Sequence, residues 1–215
     1  MKKLKRGILI AVEGIDGSGK STFIKELSKN LSSDFSLILT KEPGDTELGK
    51  QLRQTLQTQP IPITPKAEYL LFAADRAQHI HDVIKPAQKE KKLIISDRMD
   101  DSSVVYQGYA RGLNPEMINT INEWAMDTIK PDLIIFIKLD HHEASKRISS
   151  RNEALTAFEK EHHNFMKKAS ESYLNWFEKM KKHVLILDGK KAPQKLADEA
   201  QKYIDTWLIK ENIYE

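Results

Sequence analysis

The stretch Ala11–Thr22, Ala-Val-Glu-Gly-Ile-Asp-Gly-Ser-Gly-Lys-Ser-Thr, constrains the fold of this 215-residue chain more than any other. Gly14, Gly19, Lys20 and Ser21 meet the spacing G-x-x-x-x-G-K-[ST]. That spacing demands a particular local path. A strand ends, the backbone turns tightly with its N–H groups aimed inward, and a helix starts at once, directing the positive end of its dipole at the same point. The flanks supply both partners, an apolar run at 7–12 before the loop and an amphipathic run at 22–31 after it. The product is a phosphate cradle made by Gly14, Ile15, Asp16, Gly17, Ser18, Gly19, Lys20, Ser21 and Thr22. Lys20 is the residue that reaches the β- and γ-phosphates of a nucleotide, and the Ser21 hydroxyl is the one that meets Mg²⁺.

Four further apolar runs, at 35–40, 93–96, 133–137 and 184–187, alternate with helix-periodic segments. Short continuous apolar strands separated by helices predict an α/β fold with a five-stranded parallel sheet covered by helices on both faces. No linker or repeat interrupts the chain, so residues 1–215 are expected to form one domain. Loops fall at the carboxyl ends of two strands, Lys41-Glu-Pro-Gly44 and Asp97-Arg98, which is where open α/β sheets gather their chemistry. Leu48, Leu52 and Leu56 repeat at helical spacing with Arg53 off their face, and Thr64-Pro65 and Asn114-Pro115 are helix starts with a capping side chain and proline at the first position. Beyond Thr64, Ala67, Leu70, Leu71, Ala74 and Ala77 form the expected core stripe. Phe72, Asp75, Arg76 and His79 lie about 100° round the same helix, facing a cleft. Met117, Ile118, Ile121, Trp124, Ala125 and Ile129 share one apolar helix face, 143–151 is helical and basic, and the apolar positions from Phe158 to Met180 predict one long helix.

Composition narrows the function classes. The formal net charge is only +3, which lacks the basic excess of a nucleic-acid-binding or membrane-surface protein. The chain has no cysteine, so it has no disulfide framework, thiolate metal site or cysteine nucleophile, in keeping with a reducing compartment. No run approaches the about 18 apolar residues of a membrane span. The basic start followed by 7–12 reads as a first strand and not as a secretory leader, because Glu13 interrupts it early. Neither His141-His142 nor His162-His163 has a spacing that converges on one metal.

Four motifs in order resemble those of the thymidylate kinase family of P-loop nucleoside monophosphate kinases, over essentially the whole chain. They are Glu13-Gly-Ile-Asp-Gly-Ser-Gly-Lys-Ser-Thr22; Lys41-Glu-Pro-Gly-Asp-Thr46, similar to the family's Arg-Glu-Pro-Gly-Gly-Thr; Leu70-Leu-Phe-Ala-Ala-Asp-Arg76; and Asp97-Arg-Met-Asp-Asp-Ser-Ser-Val-Val-Tyr-Gln-Gly108. The resemblance implies a P-loop NTPase three-layer αβα fold and ATP-dependent conversion of dTMP to dTDP. It implies ATP as co-substrate, Mg²⁺ as cofactor and a cytoplasmic homodimer without nucleic-acid or membrane partners. Lys20 and Arg98 would then act on the transferred group, Asp16 would receive the sugar 3′-hydroxyl, and Phe72 and Arg76 would stack on and hydrogen-bond thymine. Lys41, Arg53, Ser102, Ser103, Tyr106 and Gln107 would complete the dTMP site, Tyr106 crowding the sugar's 2′ position. Ser21, Glu42 and Asp97 would hold Mg²⁺, partly through water. No basic residue lies between Gly14 and Gly19, so the resemblance implies the lid type, with Arg147 and Arg151 on a mobile segment near 143–160.

The chain departs from the family pattern at Lys41, Asp45, Met99, Ser149 and Thr156-Ala157. Two other readings share the phosphate loop. One is a P-loop kinase acting on a deoxynucleoside, against which the Phe72/Arg76 pair stands. The other is a nucleotide switch, against which stands the absence of an Asn-Lys-x-Asp guanine-reading motif.

Overall fold

Five strands, β1 (Ile8–Glu13), β2 (Leu37–Lys41), β3 (Leu93–Asp97), β4 (Leu133–Lys138) and β5 (Val184–Asp188), form one sheet in the order β2-β3-β1-β4-β5. All pairs are parallel. The structure is a computed structural model that describes residues 2–58, 61–150, 155–159, 163–180 and 183–214. The helices are α1 (Lys20–Leu31), α2 (Glu47–Thr58), α3 (Pro65–His79), α4 (Lys85–Lys89), α5 (Asp100–Ser103), α6 (Pro115–Ala125), α7 (His141–Ser149), α8 (His163–Lys179) and α9 (Pro193–Lys210).

Every residue of β1 is buried, because helices cover both faces of the central strand and leave no room for polar alternation. Ile8, Ile10 and Val12 join Phe23 and Leu27 of α1 and Ile204 and Leu208 of α9. Leu9 and Ala11 point the other way, toward Ile80, Ile84 and Met126. On that second face Ile134 and Phe136 of β4 meet Tyr173 and Phe177 of α8. Each fully buried Ile, Leu or Phe contributes roughly 1.5–3 kcal/mol of transfer free energy.

β2 and β3 lie to one side of β1, with β4 and β5 to the other, so the strand order switches beside β1. The register sets Val12 and Lys41 level with Asp97, which brings the loops after β1, β2 and β3 to one edge. A crevice at this edge is where the topology leaves space for a ligand.

The five strands match the expected runs to within two residues at each end, and both predicted caps form. Thr64 accepts from the Ala67 N–H, and Asn114 from those of Glu116 and Met117. The expected core stripe of α3 is overturned. Leu70 is 50% exposed, Ala67 and Ala74 are exposed, and the buried face carries Glu68, Tyr69, Ala73, Asp75, Arg76 and His79. Polar side chains won the interior because they find partners there. The Tyr69 hydroxyl, for instance, donates to the Ile118 carbonyl at 2.8 Å and to Asn122 at 3.0 Å. On α6, Ile118 and Ala125 are buried while Met117 and Trp124 are exposed, so only part of the predicted apolar face reaches the core. Of the helix expected from Phe158 to Met180, residues 157–159 lie in a turn and His163–Lys179 are helical. Two π-helical stretches, Ile80–Ile84 and Val104–Ala110, have no counterpart in the apolar pattern.

Candidate active site

The phosphate loop leaves β1 through Gly14, whose φ of 149° only glycine tolerates readily; a Cβ there would lie 2.8 Å from the Ile137 carbonyl oxygen. At Gly17, φ is 80° and a Cβ would meet the Ala144 carbonyl oxygen at 2.5 Å. Helix α1 then opens without a side-chain cap, which leaves its first N–H groups to a ligand. Lys20 Nζ donates to the carbonyls of Gly14 and Ile15, both at 3.0 Å. Burial, aided by the nearby Arg98 charge, pushes this ammonium down to about 8. The Ser18 hydroxyl is buried without a partner among the described residues.

The Ser21 hydroxyl donates to Asp97 Oδ2 at 3.0 Å, across the gap between the loop and the end of β3. Two adjacent oxygens at the loop mouth fit Mg²⁺, which takes oxygen ligands and keeps several waters. Glu42 is engaged elsewhere. Its Oε2 accepts from Arg76 Nε at 2.9 Å and its Oε1 faces His79 Nδ1 at 2.9 Å, all three being buried. Burial raises the Glu42 carboxyl, but Arg76 and His79 outweigh it and hold the group below its ordinary value. Sequence reasoning grouped Glu42 with Ser21 and Asp97; the structure groups it with Arg76.

Arg98 joins the two halves of the cleft. Its backbone sits at φ 73°, a conformation that costs a non-glycine residue roughly 1–3 kcal/mol. The N–H of this strained residue donates to the Val12 carbonyl at 3.0 Å. Nη1 reaches the Gly14 carbonyl at 2.9 Å and Ser102 Oγ at 3.0 Å, while Nη2 pairs with the Asp16 carboxylate. Burial raises Asp16, yet the charges of Arg98 and Lys20 prevail and keep it ionised below its ordinary range. The Tyr106 hydroxyl accepts from the Asp16 N–H at 3.1 Å. Behind these lies Glu13, fully buried, accepting from the Met99 N–H at 2.8 Å, Ser102 Oγ at 2.7 Å and Tyr173 Oη at 2.9 Å. Burial raises its carboxyl, and Arg98 opposes the rise only in part.

The other half of the cleft is built by α3, α5 and the π-helical stretch Val104–Ala110 that follows α5. Arg76, 1% exposed, donates from Nη1 to Asn122 Oδ1 at 2.7 Å. Its Nη2 reaches the Met99 carbonyl and Ser103 Oγ, both at 3.2 Å. Met99 meets the site through its backbone while its side chain joins the core, so the departure from the family pattern leaves the contacts intact. Phe72 is half-buried with Phe158 tilted against it, ring centroids 5.8 Å apart. Asp45 is tied back to β2, accepting from Thr40 Oγ1 at 2.5 Å, and the same Thr40 oxygen lies 2.6 Å from His79 Nε2.

These groups surround one cleft of about 710 Å³. Of the predicted residues, Asp16, Gly17, Gly19, Lys20, Ser21 and Thr22 line it from the loop, and Lys41, Glu42, Arg53 and Asp97 from the strand ends. Phe72, Arg76, Arg98, Ser102, Ser103, Tyr106 and Gln107 complete it. Arg53 is anchored by a 2.8 Å bond from Nη1 to the Pro43 carbonyl. Gly14, Ile15 and Ser18 stand behind the lining. Arg147 lies off this cleft, its Nη2 donating to the Gly189 carbonyl at 2.9 Å and its Nη1 3.7 Å from where a Gly19 Cβ would be. Arg151 lies outside the described residues. His79 was placed by its helical spacing on the cleft-facing stripe, whereas Glu13, Asn122, Phe158 and Tyr173 were missed. Only Glu13 carried a signal, an acid ending an otherwise apolar strand.

Asp75 gives a stability prediction. It accepts from the Gly44 N–H at 3.0 Å, and burial together with Glu42 pushes its carboxyl up to about 6. A raised acid destabilises the fold wherever the unfolded chain ionises first. The penalty is absent below the ordinary value near 3.8, grows as pH rises through about 6, and is then constant. Asp75→Asn keeps the acceptor oxygen, so denaturant unfolding is expected to show a gain of about 1–3 kcal/mol at pH 7.5 that disappears below pH 4.

Residues 12–200 match the family model described as thymidylate kinase. The chain is 38% identical over 208 residues to the thymidylate kinase of Halothermothrix orenii, covering 95% of this chain and 100% of that one. It is 38% identical over 202 residues to that of Thermosipho africanus, covering 94% and 99%. The crystal structure of thymidylate kinase from Ehrlichia chaffeensis superposes with a TM-score of 0.72 at 27% identity, covering 92% of this chain and 98% of that one. With the family model spanning most of its length and such relatives covered end to end, the chain belongs to the thymidylate kinase family.

Proposed function

We propose that the protein transfers the γ-phosphoryl group of ATP to dTMP, giving dTDP for dTTP synthesis. The observation that carries this reading is Arg98, whose guanidinium spans from the phosphate loop at Gly14 to Asp16 and Ser102 at the edge of the Phe72/Arg76 pocket. Joining two anionic phosphates requires positioning and charge compensation more than covalent chemistry. Lys20 and the open N–H groups of α1 hold the donor phosphates. Arg98 holds the acceptor phosphate in line with them, and Asp16, kept ionised, accepts the sugar 3′-hydroxyl. Phe72 supplies a stacking face for the base and Arg76 its hydrogen bond, with Ser103 and Gln107 beside it. Ser21 and Asp97 hold Mg²⁺, which when bound neutralises charge on the donor phosphates. The segment 143–160, with Arg147, Arg151 and Phe158, closes over the cleft and excludes water. A complex with dTMP and a nonhydrolysable ATP analogue tests the assignment: thymine is expected on Phe72 with Arg76 in hydrogen-bond reach, and a base bound elsewhere overturns it.

The protein acts as one cytoplasmic domain in a homodimer. Support for the dimer comes from α3, whose Ala67, Leu70 and Ala74 form an exposed apolar stripe, and from α2 and α6 packed on it, where Leu48 and the 78%-exposed Trp124 are uncovered. A second copy buries such a self-complementary face about a twofold axis. Light scattering is expected to give twice the chain mass, and Leu70→Glu to give the chain mass while retaining the circular dichroism of the parent. An unchanged mass in the variant contradicts this interface.

A further inference from the structure

Gln107 lines the cleft yet is only 2% exposed, and its Nε2 donates to Glu68 Oε1 at 2.9 Å. Glu68 lies on the buried face of α3. A carboxylate only accepts hydrogen bonds, so the Gln107 amide must present its nitrogen to Glu68 and keep its oxygen for another partner. That oxygen takes no hydrogen bond among the described residues. Glu68 cannot turn away, because Arg111 grips both its oxygens, Nε to Oε1 at 3.3 Å and Nη2 to Oε2 at 3.1 Å. The Arg111 guanidinium is in turn laid over Phe165 at 4.5 Å and Phe158 at 5.9 Å.

We propose that Glu68, clamped by Arg111, is a positioning residue that fixes the Gln107 amide with its oxygen toward the acceptor base, so that the site selects a base with a ring N–H over one with a ring lone pair. The inference rests on the reading of the cleft as a dTMP site and names how that site reads the base. Arg76 carries only donors and Gln107 offers an acceptor, which together complement the adjacent C=O and N–H of an imide. Cytosine reverses both groups: its amine faces a donor and its ring lone pair faces the amide oxygen. A buried polar group left opposed in this way discriminates far more strongly than a difference in size. Uracil shares the imide edge, so this device does not read the 5-methyl group.

Glu68→Gln releases the constraint, since the new amide accepts or donates and lets Gln107 turn over. With purified protein, ATP and Mg²⁺, the ratio of kcat/KM for dTMP to that for dCMP is expected to fall at least about tenfold, mainly through KM for dTMP, while the dTMP to dUMP ratio stays constant. Equal losses for dTMP and dCMP, as a purely structural role would give, overturn the proposal. Gln107→Met guards against a misfolded Glu68 variant: it is expected to lower kcat/KM for dTMP about tenfold or more and to raise that for dCMP, whose ring lone pair no longer faces an oxygen, and parallel losses again overturn it. The parent protein separates the two failures. Absence of dTMP turnover there defeats the dTMP reading itself, whereas normal turnover with unchanged selectivity in both variants defeats the roles of Gln107 and Glu68 and leaves that reading standing.

Discussion

Arg98→Ala is expected to lower kcat by at least about three orders of magnitude, the range seen when a guanidinium that compensates charge in phosphoryl transfer is removed. The size follows from where Arg98 stands. No other cation ties the Gly14 carbonyl to both Ser102 and Asp16 among the described residues, and the left-handed backbone at φ 73° holds its side chain across that gap. Removing it also deprives the half-buried Asp16 carboxylate of its ion-pair partner, so the variant is expected to melt at a lower temperature than the parent. Arg98→Lys separates the two effects. It keeps the charge beside Asp16 and restores most of the stability, but a point charge cannot donate at once to Gly14, Ser102 and Asp16, so kcat stays depressed by about a hundredfold. Pre-steady-state phosphoryl transfer at saturating substrates, with thermal unfolding measured alongside, reads both. Near-normal turnover in either variant contradicts the role assigned to Arg98.

Lys20→Ala is expected to cost about two to three orders of magnitude in kcat and to weaken ATP binding, because the loop's fixed cation is lost while its backbone cradle remains. The pH behaviour is more specific. Without ligand, burial and Arg98 bring Lys20 down to about 8, so the ammonium is fully charged below that value and is lost as pH rises through it. Polyphosphate favours the charged form and raises the group again. ATP binding is therefore expected to weaken above pH 8 and to take up protons there. Calorimetry in buffers of different ionisation enthalpy measures the uptake, which Lys20→Ala abolishes. A pH-independent affinity between 7 and 9.5 contradicts this account.

The sheet was legible because each of its strands is a short apolar run bounded by turn or cap residues, a composition that burial on both faces demands of the inner strands β1, β3 and β4. The phosphate loop was legible because only glycine fits its backbone at Gly14 and Gly17. The failures have a common cause. On α3 the periodicity of Ala67, Leu70 and Ala74 is real, but that stripe faces out, because Glu68, Asp75, Arg76 and His79 are each neutralised or hydrogen-bonded within the fold. Such pairings link residues far apart in sequence. Glu42 meets Arg76 from 34 positions away and Glu13 meets Tyr173 from 160, and no local pattern announces them. The same blindness hid the pairing of Glu42 with Arg76 and left Phe158 inside a helix, when it lies against Phe72 across the cleft.

The central claim is that this cleft joins ATP to the monophosphate of thymine deoxyriboside. Steady-state kinetics of the purified protein with ATP and Mg²⁺ over dTMP, dUMP, dCMP, UMP and thymidine test it most directly. The account predicts the highest kcat/KM for dTMP, with UMP disfavoured by Tyr106 and thymidine turned over poorly for want of the phosphate that Arg98 holds. Preference for another acceptor by tenfold or more, about 1.4 kcal/mol in transition-state free energy, contradicts it.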